Sequence, residues 1–420
     1  MTSRELVNET LNHRQADRVP IDLGGTVLTG MNVSTVYKLR QALQLDPPGT
    51  PVKVIDVFQM LGEIKPDLLA AVGGDVVNVS LPYTLFGYKN EDWKPWTTFD
   101  GTPVLVPGGF NTDPSPDGCL LQYPQGDKSA PPSGKMPKGG FYCDAIVRQD
   151  SIDDDHLNPA DNLEEFQPVS ETDLAWLKSQ MEKTYRETDK AIVMNLPGMA
   201  FGDIAFVPAP QLKHPKGIRD LEEWYMSTVV RKDYIHAVFE GQCEIALKNL
   251  ERLFAAVGNL PSAVVVSGTD FGAQNGPFVS PRAFKTLYQP YLRRLNDWIH
   301  EHTTWKTFIH SCGSIMSLIP HMIDAGFDIL NPVQTSAANM DPRELKAKFG
   351  DKLTFWGGGV DTQHTLQSAT PDEIRREVKD VLNAFAPNGG YMFAAIHNVQ
   401  QGVPPENLIA LFETARAHTF

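Results

Sequence analysis

No run of about 18 consecutive apolar residues occurs in this 420-residue chain, so no helical membrane span is expected. The opening MTSRELVNETLNHRQADRVP has no apolar h-region, and a secretory signal is not expected there. Cysteine is scarce: Cys119, Cys143, Cys243 and Cys312 lie far apart, unlike the framework of a disulfide-stapled secreted domain. Together these absences predict a reduced, cytoplasmic protein. Positive charge is also short, with 37 Lys+Arg against 51 Asp+Glu for a net charge of −14. That balance and the lack of a basic cluster exclude nucleic acid and membrane surfaces as expected partners. No repeat at a solenoid period appears. What remains is ordinary globular composition, 41% hydrophobic and 21% charged, enough for a sizeable core.

Short apolar runs recur at Val19–Leu23, Asp75–Ser80, Ala191–Leu196, Ala263–Ser267, Lys306–His310, Phe327–Asn331, Leu353–Trp356 and Tyr391–Ala395. Their length and Val/Ile/Phe content suit strands buried on both faces, and helical patterns follow most of them. Eight such units predict a (β/α)8 TIM barrel of the α/β class, as one domain over residues 1–420. Ser280-Pro281, Asp341-Pro342 and Thr370-Pro371 each place an N-cap residue before a helix-starting proline, and Glu344 and Glu373 add capping-box spacing. Pro320 predicts a kinked or split element after Ser314. Residues 85–150, rich in Gly, Pro, Trp and Tyr, break the pattern. They read as an insertion of hairpins and loops between early strands: a lid, a homodimer contact or a solvated excursion.

In such a barrel the reactive groups gather at the C-terminal strand ends. Asp22 lies near the first, Asp270 and Gln274 after the fourth, His310 and Cys312 at the fifth, and Asn331 and Gln334 at the sixth. Asp361 follows the seventh, and His397 and Asn398 the eighth. His310 and Cys312, two apart in extended chain, point to one side while Ser311 faces away. Imidazole plus thiolate favours zinc, with His397 the first candidate for a third ligand and Cys143 and Asp270 the reserves. Asp270 is otherwise a turn cap, a partner for a cationic or hydroxyl group, or an orienting group behind a metal ligand. Gly357–Gly359 offers either an anion cradle or a tight loop. Cys243, in a long helix around residues 233–256, and Cys119 read as buried or incidental.

The segments SRELVNETLNHRQADRVPIDLGG, GTDFGAQNGPFVSPRAFKTLYQPYLRR and FIHSCGSIMSLIPHMIDAGFDILNPVQ resemble the uroporphyrinogen decarboxylase superfamily. So does the ending FWGGGVDTQHTL…TPDEIRREVKDVL…NGGYMFAAIHNVQQGVPPENL. The resemblance implies a (β/α)8 barrel. True decarboxylases of the superfamily hold a polycarboxylated tetrapyrrole with arginines after the first strand, but IDLGGTVLTGMN has none. The corrinoid-linked methyltransferase branch is the nearer likeness, through the H-x-C-G motif at His310, Cys312 and Gly313. Thiol-methylating members complete a zinc site with a cysteine near the last strand; here FAAIHNVQQG offers His397 instead. A His, Cys, His set is the better Lewis acid for an ether or amine methyl donor. The resemblance therefore implies a zinc-dependent methyltransferase acting between a small molecule of methoxy, methylamine, thiol or folate type and a corrinoid carried by a separate protein. No D-x-H-x-x-G signature for holding a corrinoid is present. On that reading Asp270, Gln274 and Asn331 position the reacting groups, while Asp22, Gln334, Asp361 and Asn398 bind substrate. Two alternatives stand beside it: a metal-free, decarboxylase-like lyase for a small carboxylated substrate, using Asp270 or Asp22, and a non-catalytic metal or corrinoid chaperone.

Overall fold

The computed structural model describes residues 1–419. Seven parallel strands form one curled sheet: β1 (Val76–Val79), β2 (Ala191–Asn195), β3 (Ala263–Ser267), β4 (Lys306–His310), β5 (Ile329–Asn331), β6 (Thr354–Trp356) and β7 (Tyr391–Met392). They are ordered as in the sequence, each paired in parallel with the next. The inner face carries one apolar cluster to which every strand contributes: Val76, Val193, Ala263, Phe308, Ile329, Trp356 and Met392. Val7 and Leu11 of the helix Ser3–Leu11 belong to the same cluster. The fold is α/β and TIM-barrel-like, with a filled interior.

The predicted first strand departs from expectation. Residues 20–22 make only an isolated parallel bridge, Ile21 to Phe393, yet they occupy the gap between β7 and β1. Asp22 N donates to Phe393 O, and Asp75 N donates to Ile21 O, both at 2.8 Å. Two residues explain why no continuous ladder forms. Pro20 has no N–H to give, and Ile21 N donates to the Asp75 carboxylate, which also binds Arg18 and Ser3 Oγ.

The excursion between β1 and β2 contains the predicted hairpins, but its sheet begins earlier than residue 85. Strand Val52–Asp56 pairs with Leu61–Gly62 and, in parallel, with Pro103–Val106, which pairs with Lys94–Thr97. A second small sheet holds Leu120–Gln122, Gly134–Met136 and Asp144–Ala145. The helix starts stand where expected. Ser280, Asp341 and Thr370 accept from backbone N–H groups of the next turn, and Thr370 with Glu373 closes a full capping box. Glu344 does not reciprocate at Asp341. The element after Ser314 is split: a turn at 316–318 precedes the short helix Ile319–Asp324, with Pro320 in its first turn. Cys243 is buried in the helix Lys232–Val257. No helix among the described residues is long and apolar enough to cross a membrane.

Candidate metal centre at the mouth of the sheet

Strand alternation carries the inner face upward from its apolar cluster. His310 stands two residues beyond Phe308, and Asn331 two beyond Ile329, so both continue the inward face at the C-terminal end of the sheet. There His310, Cys312 and His397 converge, with one ligand atom from each lying within 4.8 Å of the others. Cys312 Sγ is 3.4 Å from His310 Nε2, and the two imidazole centroids are 5.5 Å apart.

The groups behind these ligands fix their direction. Asn331 is fully buried and donates through Nδ2 to Trp356 O at 2.9 Å, which turns its Oδ1 toward His310 Nδ1 at 2.7 Å. The hydrogen of His310 therefore sits on Nδ1, and the Nε2 lone pair faces Cys312. Ser311 does face away, accepting from Phe271 N at 2.9 Å. Its neighbour Asp270 accepts from Cys312 N at 2.7 Å through Oδ1, which lies 3.7 Å from His310 Nε2. Gly313, at φ +87°, permits this lacing: a Cβ there would stand 2.4 Å from the backbone of Gly272. Gln334 accepts from Gly313 N and donates to Gln274, whose own amide reaches Ser336 O. The two glutamines tie the loops after β3, β4 and β5 together.

Burial and nearby acids raise the Cys312 thiol well above its ordinary value, Asp270 and Asp203 being the charges that act on it. Burial lowers His397 to about 4, with His310 adding to the fall and Asp270 opposing it. Two soft or borderline nitrogens and one thiol make a donor set that fits zinc, with room in its coordination for a substrate atom.

The remaining expected residues lie elsewhere in the loops. Asp22 is buried, held by Trp356 Nε1 at 2.7 Å and Gly25 N, and burial raises it to about 6. Asn398 is buried too, its amide donating to Val27 O and Gln59 Oε1 and its oxygen accepting from Gly30 N. Asp361 accepts from Gln363 N and contacts His364. Asp22 and Asn398 tie their segments to neighbouring ones, and Asp361 braces its own loop. The Gly357–Gly359 run is a tight loop: Gly357 N and Gly359 N are spent on Met392 O and Ala394 O. Cys143 is removed from the centre, in the small sheets beside Asp56, with its N donating to Phe58 O. One residue escaped the sequence reading altogether. Asp203, in the loop after β2, is 8% exposed, and burial with nearby Asp270 raises it to about 7. No local motif marks it; only the strand-end rule, applied to the third apolar run, would have pointed to that loop.

The uroporphyrinogen decarboxylase (URO-D) family model matches residues 160–418, the greater part of the chain and all but β1 of the parallel sheet. The chain belongs to the uroporphyrinogen decarboxylase family. Its matches to curated members are distant and partial. Uroporphyrinogen decarboxylase of Aromatoleum aromaticum is 34% identical over 80 residues, 19% of this chain and 22% of that one. Those of Geobacter metallireducens and Geotalea daltonii are 24% and 22% identical over 53% and 59% of this chain, and 61% and 66% of theirs. This family member thus spans between about a fifth and two thirds of the length of these relatives. Among solved structures, a methyltransferase from Methanosarcina mazei is similar over 99% of this chain and 98% of its own, with a TM-score of 0.57 and 16% identity. That likeness establishes the shared fold.

Proposed function

We propose that this family member is a methyltransferase that moves a methyl group between a small molecule and a separate corrinoid protein, with a zinc ion held by His310, Cys312 and His397. The observation that carries the reading is the convergence of those three ligand atoms within 4.8 Å at the strand ends. Asn331 supports it by presenting the Nε2 lone pair of His310. The full-length likeness to a methyltransferase fold supports it as well. On this reading residues 20–22 are the eighth member of a closed (β/α)8 barrel.

A bound zinc would supply Lewis-acid polarisation of the heteroatom that carries or receives the methyl group. The chain's own part is orientation. Asn331 aims His310, Asp270 holds the Cys312 backbone, and Gln334 with Gln274 fixes the loop beyond it. The mouth must also stay open enough to admit a corrinoid-bearing partner.

Family membership favours one other reading, a metal-free lyase acting on a small carboxylated substrate. Asp270 would serve it better than Asp22, whose carboxylate is committed to Trp356 and Gly25. Elemental analysis of the purified protein beside His310→Ala, Cys312→Ser and His397→Ala separates the two. About one zinc per chain, lost in all three variants, is expected, followed by methyl transfer to added corrinoid protein. A wild-type protein that holds no metal even after incubation with zinc overturns the proposal and leaves the lyase.

A further inference from the structure

We infer that the mouth selects a positively charged methyl donor, a tertiary or quaternary ammonium compound, and that Asp203 sets this selectivity. The inference rests on the methyl-transfer reading of the same site and narrows its substrate class.

Asp203 is placed with care. Phe201 N donates to Gln242 Oε1 at 2.9 Å, and Thr269 Oγ1 donates to Ala200 O at 2.8 Å, so the loop is clamped both to the helix Lys232–Val257 and to the residue before Asp270. Phe201 adopts φ +46°, a left-handed conformation that a side-chain-bearing residue holds only under such constraint. One carboxylate oxygen, Oδ1, accepts from Ala205 N at 2.8 Å. The other, Oδ2, faces Gly268, where a Cβ would stand 2.6 Å away, so the glycine makes room for it. Capping the loop requires only Oδ1, and an asparagine would do as well. A buried carboxylate is costly there without a cation.

Carboxylates outnumber cations at the mouth. The charges acting on Asp203, Cys312 and Tyr225 are those of Asp203 and Asp270, His397 feels Asp270 and the opposing positive charge of His310, and no Lys or Arg is among them. A zinc ion on the Cys312 thiolate would add a single net positive charge, so the two carboxylates still leave the mouth negative: an anionic substrate would be repelled, and a neutral ether would leave that charge uncompensated. An ammonium group is the complement. Aromatic faces stand beside the acids: the Tyr225 hydroxyl donates to Asp270 O, and its ring packs on Phe278, 5.5 Å between centroids. Phe278 is 53% exposed, and such rings attract methylated ammonium groups.

The test is calorimetric binding of choline and of its neutral carbon isostere, 3,3-dimethylbutan-1-ol, to the full-length protein. Choline should bind about tenfold or more tightly than the isostere. Asp203→Asn, which keeps an acceptor for Ala205 N, should remove most of that preference. Equal affinity for the two probes, binding of neither, or a preference undiminished in the variant would overturn the inference; the wild-type comparison decides alone if the variant does not fold. Zinc content and methyl transfer from a neutral donor are separate readouts. If they hold while choline shows no preference, the cationic class falls alone. If choline is preferred but no zinc binds, the methyl-transfer reading falls instead.

Discussion

Asn331 shows how one amide decides what a histidine can do. Because Nδ2 is spent on Trp356 O, Oδ1 must face His310, and the imidazole has no alternative tautomer that keeps both bonds. Asn331→Leu should weaken zinc binding about 10- to 100-fold, read by competition with a chromophoric chelator. It should also cost about 2–4 kcal/mol, since Trp356 O and the His310 N–H are left buried and unpaired. Wild-type zinc affinity in a folded variant would show that His310 does not depend on this bond. Asp203 allows a second residue-scale prediction. Its folded pKa, about 7, lies above its unfolded value of about 3.8, so the folded state binds the extra proton between those limits. Its contribution to stability is therefore best below about pH 4 and declines as pH rises toward 7. Asp203→Asn removes that decline. The variant should gain on the wild type by about 2–4 kcal/mol between pH 4 and pH 8 in urea titrations, and a pH-independent difference would refute the raised pKa. His310, Cys312 and His397 were legible in sequence because strand ends and two-residue spacing predict convergence. Asp203 was not, because it lies eight residues past the end of β2, in a loop whose path is set by Gln242 and Thr269.

Among the elements, legibility followed burial. Strands Ala263–Ser267 and Lys306–His310 are nearly all buried and appear at the residues their apolar runs predicted. Val52–Asp56 and Lys94–Thr97 went unread because they are half exposed and lack a continuous apolar run. The run at 19–23 predicts a strand, but its pairing is divided between a single bridge and a carboxylate. Asp75 does the work of a strand edge: 1% exposed, it binds Arg18 twice, Ser3 Oγ and Ile21 N. Asp75→Ala should therefore destabilise the fold by about 3 kcal/mol or more, through an unpaired Ile21 N–H and a released Arg18. Asp75 precedes β1, at the end of the sheet opposite the candidate metal centre, so the zinc content expected on the proposed reading should not change. A shift in the urea midpoint with zinc retained is the expected pair of results. Loss of both would show that the gap-filling segment also positions the mouth.

At the scale of the whole molecule, the question is whether the excursion between β1 and β2 moves. A lid would need a core of its own, or none, and contacts with the rest weak enough to break. The structure gives it neither. Val104, Val106, Phe110, Leu120, Met136 and Cys143 lie in the same apolar cluster as Ile309, Leu330 and Phe355 of the parallel sheet. The backbone is stitched in as well: Val52–Asp56 pairs with Pro103–Val106, and Asn32 Nδ2 donates to Phe141 O. Arg148 reaches the carbonyls of Ala209 and Leu212, in the stretch that follows the Asp203 loop. Elements that share a core open together. Amides of Val104 and Val106 should thus exchange with an opening free energy within about 1 kcal/mol of that for Ile309, measured by native-state hydrogen exchange. Equal protection makes the excursion a fixed wall beside the mouth, and on the proposed reading substrate and partner would then enter an aperture that is already open. Protection several kcal/mol lower across 94–145 would make it a separately opening unit, and a lid would again be the better description.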